Sequence, residues 1–162
     1  MNNRQQNGTT TVEFAIVAVI VLTMIFGVLE IGRGYYVYSM LDDVARRGAR
    51  LAAVCPVGDP AIPRLAVYNS SADASESKLV KGLTPGHVII DYLDAGSGIV
   101  AAPALPENFV QIRYVRARVI AYSHPIVVPF VMGVTSILMP QFESILPRES
   151  LGIPRDGAIR PC

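Results

Sequence analysis

Residues that usually carry out catalysis are scarce in this chain of 162 residues. It has two histidines, His87 and His124, and neither has a second histidine or a cysteine at metal-ligand spacing. Gly96-Ser97-Gly98 lacks the Gly-x-Ser-x-Gly spacing of a nucleophile elbow, and no phosphate-binding glycine loop precedes a helix. We therefore expect no enzyme, no bound metal and no cofactor, and we interpret both histidines as structural or surface residues.

An excess of positive charge is also absent. Lysine and arginine together number 14 and aspartate and glutamate 13, for a formal net charge of +1. Since nucleic-acid-binding proteins need a basic surface, we expect no nucleic-acid partner. Hydrophobic residues make up 51% of the chain and the mean hydropathy is +0.40, which is typical of a membrane-anchored protein. The length suffices for one membrane helix and one modest domain.

Charge is missing altogether from residues 14–29. As a helix, residues 9–31 would be about 34 Å long, which is enough to cross a hydrocarbon core of about 30 Å. Glu13 lies at the start of this run. A charged residue at the centre of a membrane helix costs about 2.5 to 3.5 kcal/mol of insertion free energy, and the cost is lower near the ends. The Glu13 carboxylate still needs a partner. A cut after Gly8 would give Thr9 an α-amino group one helical turn from Glu13, and a neighbouring copy could present its own.

The helix is expected to continue beyond the membrane until Cys55-Pro56, because proline lacks the N–H donor and disfavours helical geometry before it. Apolar residues recur every three or four positions on one face, at Tyr38, Leu41, Val44 or Ala45, Gly48, and Leu51 or Ala52. The other face is charged and predicts two acid-before-base pairs, Asp42–Arg46 and Asp43–Arg47.

Several of these residues also resemble a known family. Gly8, with Glu13 and Phe14 after it, resembles the processing site of type IV prepilins of the Flp branch. The stretches 12–15, 26–33 and 45–50, with Tyr38, resemble the TadE-like family, which contains minor pilins or pseudopilins of the tight-adherence (Tad/Flp) pilus and secretion system.

The resemblance implies roles for particular residues. Prepilin peptidase would cut between Gly8 and Thr9, and Glu13 and Phe14 would serve assembly. The family motif would comprise Gly32, Arg33, Tyr38, Arg46, Arg47, Gly48, Ala49 and Arg50.

It also implies an organisation for the whole chain. Residues 1–8 would be the leader, 9–31 the transmembrane part of the helix, 32–54 its periplasmic continuation, and 55–162 a small α+β periplasmic domain. The expected fold is α+β and pilin-like, with an antiparallel sheet. The expected partners are the inner membrane, prepilin peptidase, other pilins and minor pilins, and the Tad assembly platform, with possible incorporation into an extracellular pilus.

Three alternatives stay open. The positive-inside rule would place the carboxyl side in the cytoplasm, because only Arg4 precedes the span and four arginines follow it, at 33, 46, 47 and 50. The resemblance implies the opposite orientation. A secretory signal peptide has a shorter apolar run of 7 to 15 residues. An unprocessed membrane anchor carrying a periplasmic binding domain would need no cleavage.

The remaining sequence predicts a small domain. Two β-branched and aromatic stretches, 87–93 and 109–122, predict strands, and the apolar face of the longer one changes near Tyr114, which suggests a bulge or a strand buried on both sides. A last strand is expected at 142–146. Prolines and glycine predict a loop at 56–63. The small, polar residues 69–75 predict either an exposed loop or the cap of a short helix over 76–83.

Two further features bear on the surroundings of the domain. Residues 125–139 predict a hydrophobic loop or short helix that caps the sheet, with contact to the membrane surface or a partner subunit as an alternative. Cys55 and Cys162 predict a disulfide if the domain faces an oxidising compartment, and otherwise two unpaired thiols.

Overall fold

The computed structural model describes residues 6–69, 76–127, 135–153 and 162, with side chains from residue 9 onward. The fold is α+β, as predicted: a long apolar helix at the amino end is followed by a small antiparallel sheet. Two compact units divide the chain, one formed by 1–36 with 125–137 and the other by 37–124 with 138–162.

Helix α1, Gln6–Val54, is 49 residues long and runs through both units. Its most apolar stretch has a mean hydropathy of 2.7 and is not buried by the rest of the chain. Among the described residues it is the one helix long and apolar enough to cross a membrane. It ends immediately before Cys55-Pro56, where the sequence predicted the end.

The last carbonyls of α1 are capped by the C-terminal part of the chain. The backbone N–H groups of Glu149 and Leu151 both donate to the carbonyl of Ala53 at 3.1 Å, and Gly152 N–H donates to that of Val54 at 2.6 Å. Because the last four carbonyls of a helix have no intrahelical donor, these bonds complete a helix end that would otherwise need water.

Helix α2, Ala61–Ala66, overturns part of the predicted 56–63 loop. The Asp59 carboxylate accepts the N–H of Ala61 at 2.8 Å, which supports the first turn. Pro63 fits because it lies in the first turn, where a missing N–H breaks no helical bond. The loop therefore covers only the residues before Ala61.

Three strands form an antiparallel sheet in the order β1-β2-β5: β1 is Val88–Leu93, β2 is Tyr114–Val119 and β5 is Phe142–Pro147. A 3-10 turn, Pro85–His87, leads into β1. The strands predicted at 87–93 and 142–146 are thus confirmed, with shifts of one residue at their ends.

The predicted strand over 109–122 is wrong in its first five residues and in its last three, since β2 covers only Tyr114–Val119. A short helix α3, Pro106–Phe109, occupies its start. Turn bonds then follow, from Gln111 N to Asn108 O at 3.0 Å and from Ile112 N to Phe109 O at 3.3 Å. The apolar face changes near Tyr114 because β2 begins there, so no bulge is required.

Two other predictions need correction. Strands β3, Ser123–Pro125, and β4, Ser136–Leu138, form a second, two-stranded sheet in place of the loop or short helix expected over 125–139; residues 128–134 of that prediction lie outside the described residues. The described residues 76–83 form turns rather than a short helix, and residues 70–75 lie outside the described residues. The backbone N–H of Ser77 donates to the carbonyl of Leu83 at 2.7 Å, a bond that joins the two ends of the segment.

The core of the second unit lies between the C-terminal part of α1 and the sheet. The buried helix face contains Leu41, Val44, Ala45, Gly48 and Ala52, as the three-and-four spacing predicted, together with Ala49. Tyr38, predicted for the same face, is 49% exposed. The buried face packs with the alternating buried positions of β2, which are Val115, Ala117 and Val119. Burial of the leucine and valine side chains among them stabilises a fold by about 1.5 to 3 kcal/mol each, and burial of each alanine by less.

Candidate functional site

The predicted cleavage position, the Gly8–Thr9 peptide bond, lies near the amino end of the described part of α1. Glycine weakens a helix by about 1 kcal/mol relative to alanine. This peptide can therefore leave the helical conformation at low cost, as a protease requires.

Glu13 lies one turn further along, at the start of the uncharged run. Its side chain is exposed, and no hydrogen bond or ion pair joins it to another residue in the described part of the chain. Thr9 is four residues earlier, on the same face and about 6 Å away along the axis. Phe14 is 74% exposed, so both predicted assembly residues are available to a partner.

The charged residues at the far end of the apolar run are paired. Arg33 Nη2 lies 2.8 Å from Glu30 Oε1, and the same nitrogen donates to the backbone carbonyl of Pro125. The Glu30 side chain is only 15% exposed. The charge of the predicted motif residue Arg33 is thus paired with Glu30, and its guanidinium is held by the Pro125 carbonyl. Gly32 beside it is exposed, with open space around its Cα.

The predicted motif residues 46–50 separate onto two faces of α1. Gly48 and Ala49 are buried, whereas Arg46, Arg47 and Arg50 are exposed. A Cβ placed on Gly48 would lie 3.1 Å from the Cβ of Ala117 on β2 and 3.5 Å from that of Ala66 on α2. The absence of a side chain at 48 therefore lets the helix approach the central strand closely.

One of the two predicted ion pairs on the exposed face is present. Arg46 Nη2 lies 2.9 Å from Asp42 Oδ2. The Asp43–Arg47 pair is wrong: Asp43 accepts a hydrogen bond from the Tyr68 hydroxyl, and Arg47 Nε donates to a carbonyl of α2 at 2.9 Å. The Arg47 guanidinium also lies 4.5 Å from the centre of the Tyr68 ring. Tyr68 provides a partner for each charge, a hydroxyl for the Asp43 carboxylate and a π-face for the Arg47 guanidinium.

These side chains form one wall of a groove in the second unit. The groove has a volume of about 740 Å³, and its other wall is the edge strand β5 from Glu143 to Leu146. Arg50 lines it without an ion-pair partner among the described residues. The groove carries both signs of charge beside a strand edge that no other described strand pairs with, which suits a polar segment of another chain.

Tyr38, the remaining motif residue, contacts the core of the second unit. Its ring is 49% exposed and meets Phe142 of β5 edge-on, with 4.7 Å between centroids. This geometry is favourable for an aromatic pair.

The two cysteines are joined in a disulfide that spans 107 positions in sequence, with their Cα atoms 5.7 Å apart. Cys55 directly follows α1 and is buried, and the backbone N–H of Cys162 donates to the Asp59 carboxylate at 3.0 Å. The bond ties the terminal residue to the end of the helix.

A cluster of charges on the sheet was not found from the sequence. Asp91 Oδ2 accepts from Arg116 Nη2 at 3.0 Å and from Arg118 Nε at 2.8 Å, and all three side chains are at least three-quarters buried. Asp91 is directly opposite Arg116 in the β1–β2 register. The alternation of Arg116 and Arg118 was the available signal, but the register was needed to place Asp91 between them. No group of three or more metal-binding side chains occurs in the residues that the structure describes.

The family model of TadE-like proteins matches residues 8–50 of the chain, which confirms the resemblance predicted from sequence. The match begins at Gly8, includes the apolar part of α1 and ends at Arg50, before the disulfide and the sheet. Neither a curated protein nor a solved structure matches the chain.

Proposed function

From the TadE-like match over residues 8–50, we propose that this chain is a minor pilin or pseudopilin of a tight-adherence, Flp-type pilus system. It takes part in pilus assembly or initiation by binding other subunits, and it is not an enzyme. The observation that carries the proposal is the carboxylate of Glu13, which has no partner among the described residues and lies five positions after Gly8 at the entrance to a membrane-length helix.

Processing is the first step of the proposed mechanism. A membrane aspartyl prepilin peptidase removes residues 1–8 and leaves Thr9 with a free α-amino group. That cation is at the positive end of the helix dipole, where a nearby carboxylate is favourable. Glu13, one turn away, is the nearest acidic residue in the chain to this new terminus.

Assembly is the second step. A lone carboxylate inside hydrocarbon costs up to about 2.5 to 3.5 kcal/mol on insertion scales. When α1 packs beside the helix of another pilin, Glu13 pairs with an amino terminus of the bundle, and this cost is removed from both charges. The apolar side chains of α1 are free to make the helix–helix contact, since none of the most apolar stretch is buried within the chain.

Orientation follows from the same proposal: the leader is cytoplasmic, and residues 32–162 lie in the periplasm. The arginine count opposes this, but long domains translocate largely regardless of charge, and Arg33 and Arg46 are neutralised by Glu30 and Asp42. The Cys55–Cys162 disulfide supports an oxidising compartment.

The test replaces Glu13 by glutamine in cells that carry the complete pilus system. Glu13→Gln keeps the size and polarity of the side chain but cannot pair with an amine as a charge. We expect normal cleavage and at least about a tenfold loss of the protein from sheared pilus or assembly fractions, in line with about 1.4 kcal/mol or more of lost pairing. Glu107→Gln, the same change at an exposed position of α3, is the control and should assemble as the unaltered chain does. Full assembly of Glu13→Gln would contradict the proposal.

A second candidate is an unprocessed, membrane-anchored binding domain, and the groove between α1 and β5 is the observation that favours it. The two candidates differ at Gly8. Gly8→Val puts a branched side chain at the scissile peptide and should block maturation and assembly of a pilin. A simple anchor should keep its size and function after the same change.

A further inference from the structure

A short ribbon from the C-terminal half of the sequence belongs to the same compact unit as the apolar half of α1. We define this ribbon as residues 125–127 and 135–137, the parts of the β3–β4 pair and its flanks that lie in that unit. The N–H of Ile126 donates to the carbonyl of Thr135 at 2.9 Å, which holds its two sides together.

Arg33 fixes the position of the ribbon along the helix. Its Nη2 group binds Glu30 and the carbonyl of Pro125, 92 positions away in sequence. Arg33 is two residues beyond Ile31, where the predicted membrane span ends, a distance of about 3 Å along the axis. The ribbon is therefore held at the level where the helix leaves the hydrocarbon.

The ribbon is uncharged and mostly apolar at this level, with Thr135 and Ser136 as its polar residues. Val127 is 67% exposed and Ile137 is 52% exposed, while Ile31 on the helix is 75% exposed. The ribbon's described residues include no Asp, Glu, Lys or Arg, so it can enter a headgroup region without stripping water from a charge. Tyr35 is 74% exposed just beyond Arg33, and tyrosine is favoured at membrane–water boundaries.

We propose that the ribbon binds the bilayer surface and inserts Val127 and Ile137 among the lipids. The chain then contacts the membrane at two places, through α1 and through the ribbon. The partner is the lipid interface itself, which accommodates exposed aliphatic side chains beside a polar backbone. Arg33 is a positioning residue, since its bond to Pro125 couples the ribbon to the helix. This inference rests on the membrane insertion of α1 in the proposed function, and it does not depend on cleavage or pilus assembly.

The absence of tryptophan from the sequence provides a clean test. Single tryptophans are introduced into the full chain by Val127→Trp and Ile137→Trp, and the protein is reconstituted into vesicles whose lipids are brominated on their acyl chains. At a depth of about 5–10 Å in the interface, we expect blue-shifted emission and about twofold or stronger quenching. Val110→Trp is the matched control in the other unit, because Val110 is 62% exposed.

A third reporter, Phe26→Trp, separates failure of the ribbon from failure of the span. Quenching at 26, 127 and 137 with little at 110 would support the inference. Quenching at 26 without quenching at 127 and 137 would overturn it while leaving the span intact. Equal quenching at 110 and 127 would overturn a contact specific to the ribbon. An unquenched tryptophan at 26 would overturn the span and the inference together.

Removal of the Arg33 contact gives an independent readout. Arg33→Gln, combined with Val127→Trp, should reduce quenching at 127 at least about twofold while the emission from Phe26→Trp is unchanged in the same background. Unaltered quenching at 127 would overturn the positioning role of Arg33.

Discussion

Gly48 is the residue at which the family-matched part of α1 meets the sheet. The 3.1 Å between its would-be Cβ and Ala117 is close enough that a methyl group requires a small shift, and any longer side chain requires the helix to move. The adjacent arginines remain exposed, so one short stretch provides both a packing face and a charged face. This division explains in physical terms why Arg, Gly and Ala occur side by side here.

Substitution of Gly48 tests that close approach. Gly48→Leu should destabilise the second unit by about 1 to 3 kcal/mol or more, because overpacking forces side chains and backbone apart. Gly34→Leu is the control on the same helix, since a Cβ at 34 meets no atom within 4 Å. Denaturant unfolding of the detergent-solubilised protein, followed by circular dichroism, measures both. Equal stabilities for the two variants would rule out a tight helix–sheet contact at 48.

Tyr92 predicts a dependence of stability on alkaline pH. Burial raises the pKa of this tyrosine above its ordinary value of 10.0; the Gly58 N–H bond opposes the shift, and the Asp59 carboxylate adds to it. The unfolded chain therefore loses the proton first. The contribution of Tyr92 is fully present below pH 10.0 and is lost as pH rises from there through the raised pKa.

We expect Tyr92→Phe to lower the unfolding free energy by about 0.5 to 1.5 kcal/mol at neutral pH through loss of one hydrogen bond. Above pH 10 the variant should lose stability less steeply than the unaltered chain. Unfolding curves collected at neutral and alkaline pH measure this difference, and parallel pH profiles would be inconsistent with a buried, neutral Tyr92.

The C-terminal part of the chain contacts the end of α1 through hydrogen bonds and a disulfide. Backbone donors from 149–152 satisfy its last carbonyls, and the disulfide joins Cys55 to Cys162. Gly152 has a φ of +79°, and a Cβ there would lie 2.5 Å from Pro56 Cγ, so glycine is required for this close crossing. Together these contacts close the second unit at the position where the helix stops.

Replacing both cysteines by serine should lower the unfolding free energy by about 2 to 5 kcal/mol, the usual range for loss of a native disulfide. The measurement is denaturant unfolding with and without a reducing agent. The reducing agent should weaken the unaltered protein and leave the double variant unchanged. A double variant as stable as the oxidised chain would show that the disulfide adds nothing to this closure.

Elements that depend on local chemistry were predictable from sequence. The end of α1 follows from Pro56, and the buried face at Leu41 and Val44 follows from helical spacing. Elements that depend on contacts with residues distant in sequence were not predictable from sequence. The β-branched and aromatic residues over 109–122 predicted a strand, but Ile112 is buried from a turn and Val110 is exposed.

The same division applies to the candidate site. The length of the apolar run is readable along the chain, so the membrane-length helix could be predicted. The roles of Gly8 and Glu13 stay predictions. The Asp91 cluster, the partners of Asp43 and Arg47, and the attachment of Arg33 to Pro125 each require two segments far apart in sequence. Only the folded chain reveals them.

At the scale of the whole molecule, three features share one polypeptide. An apolar helix carries a lone carboxylate near its start, a charged motif joins that helix to a sheet, and a disulfide closes the sheet domain onto the helix end. If Glu13 acts through a new amino terminus, cleavage must precede its pairing. The central claim is therefore that the working protein begins at Thr9.

N-terminal sequencing of the protein purified from cells with the prepilin peptidase tests this claim most directly, with peptidase-deficient cells as the control. We predict Thr9 as the first residue in the former, and an uncleaved leader in the latter. A functional protein that still carries residues 1–8 in the presence of the peptidase would contradict the account.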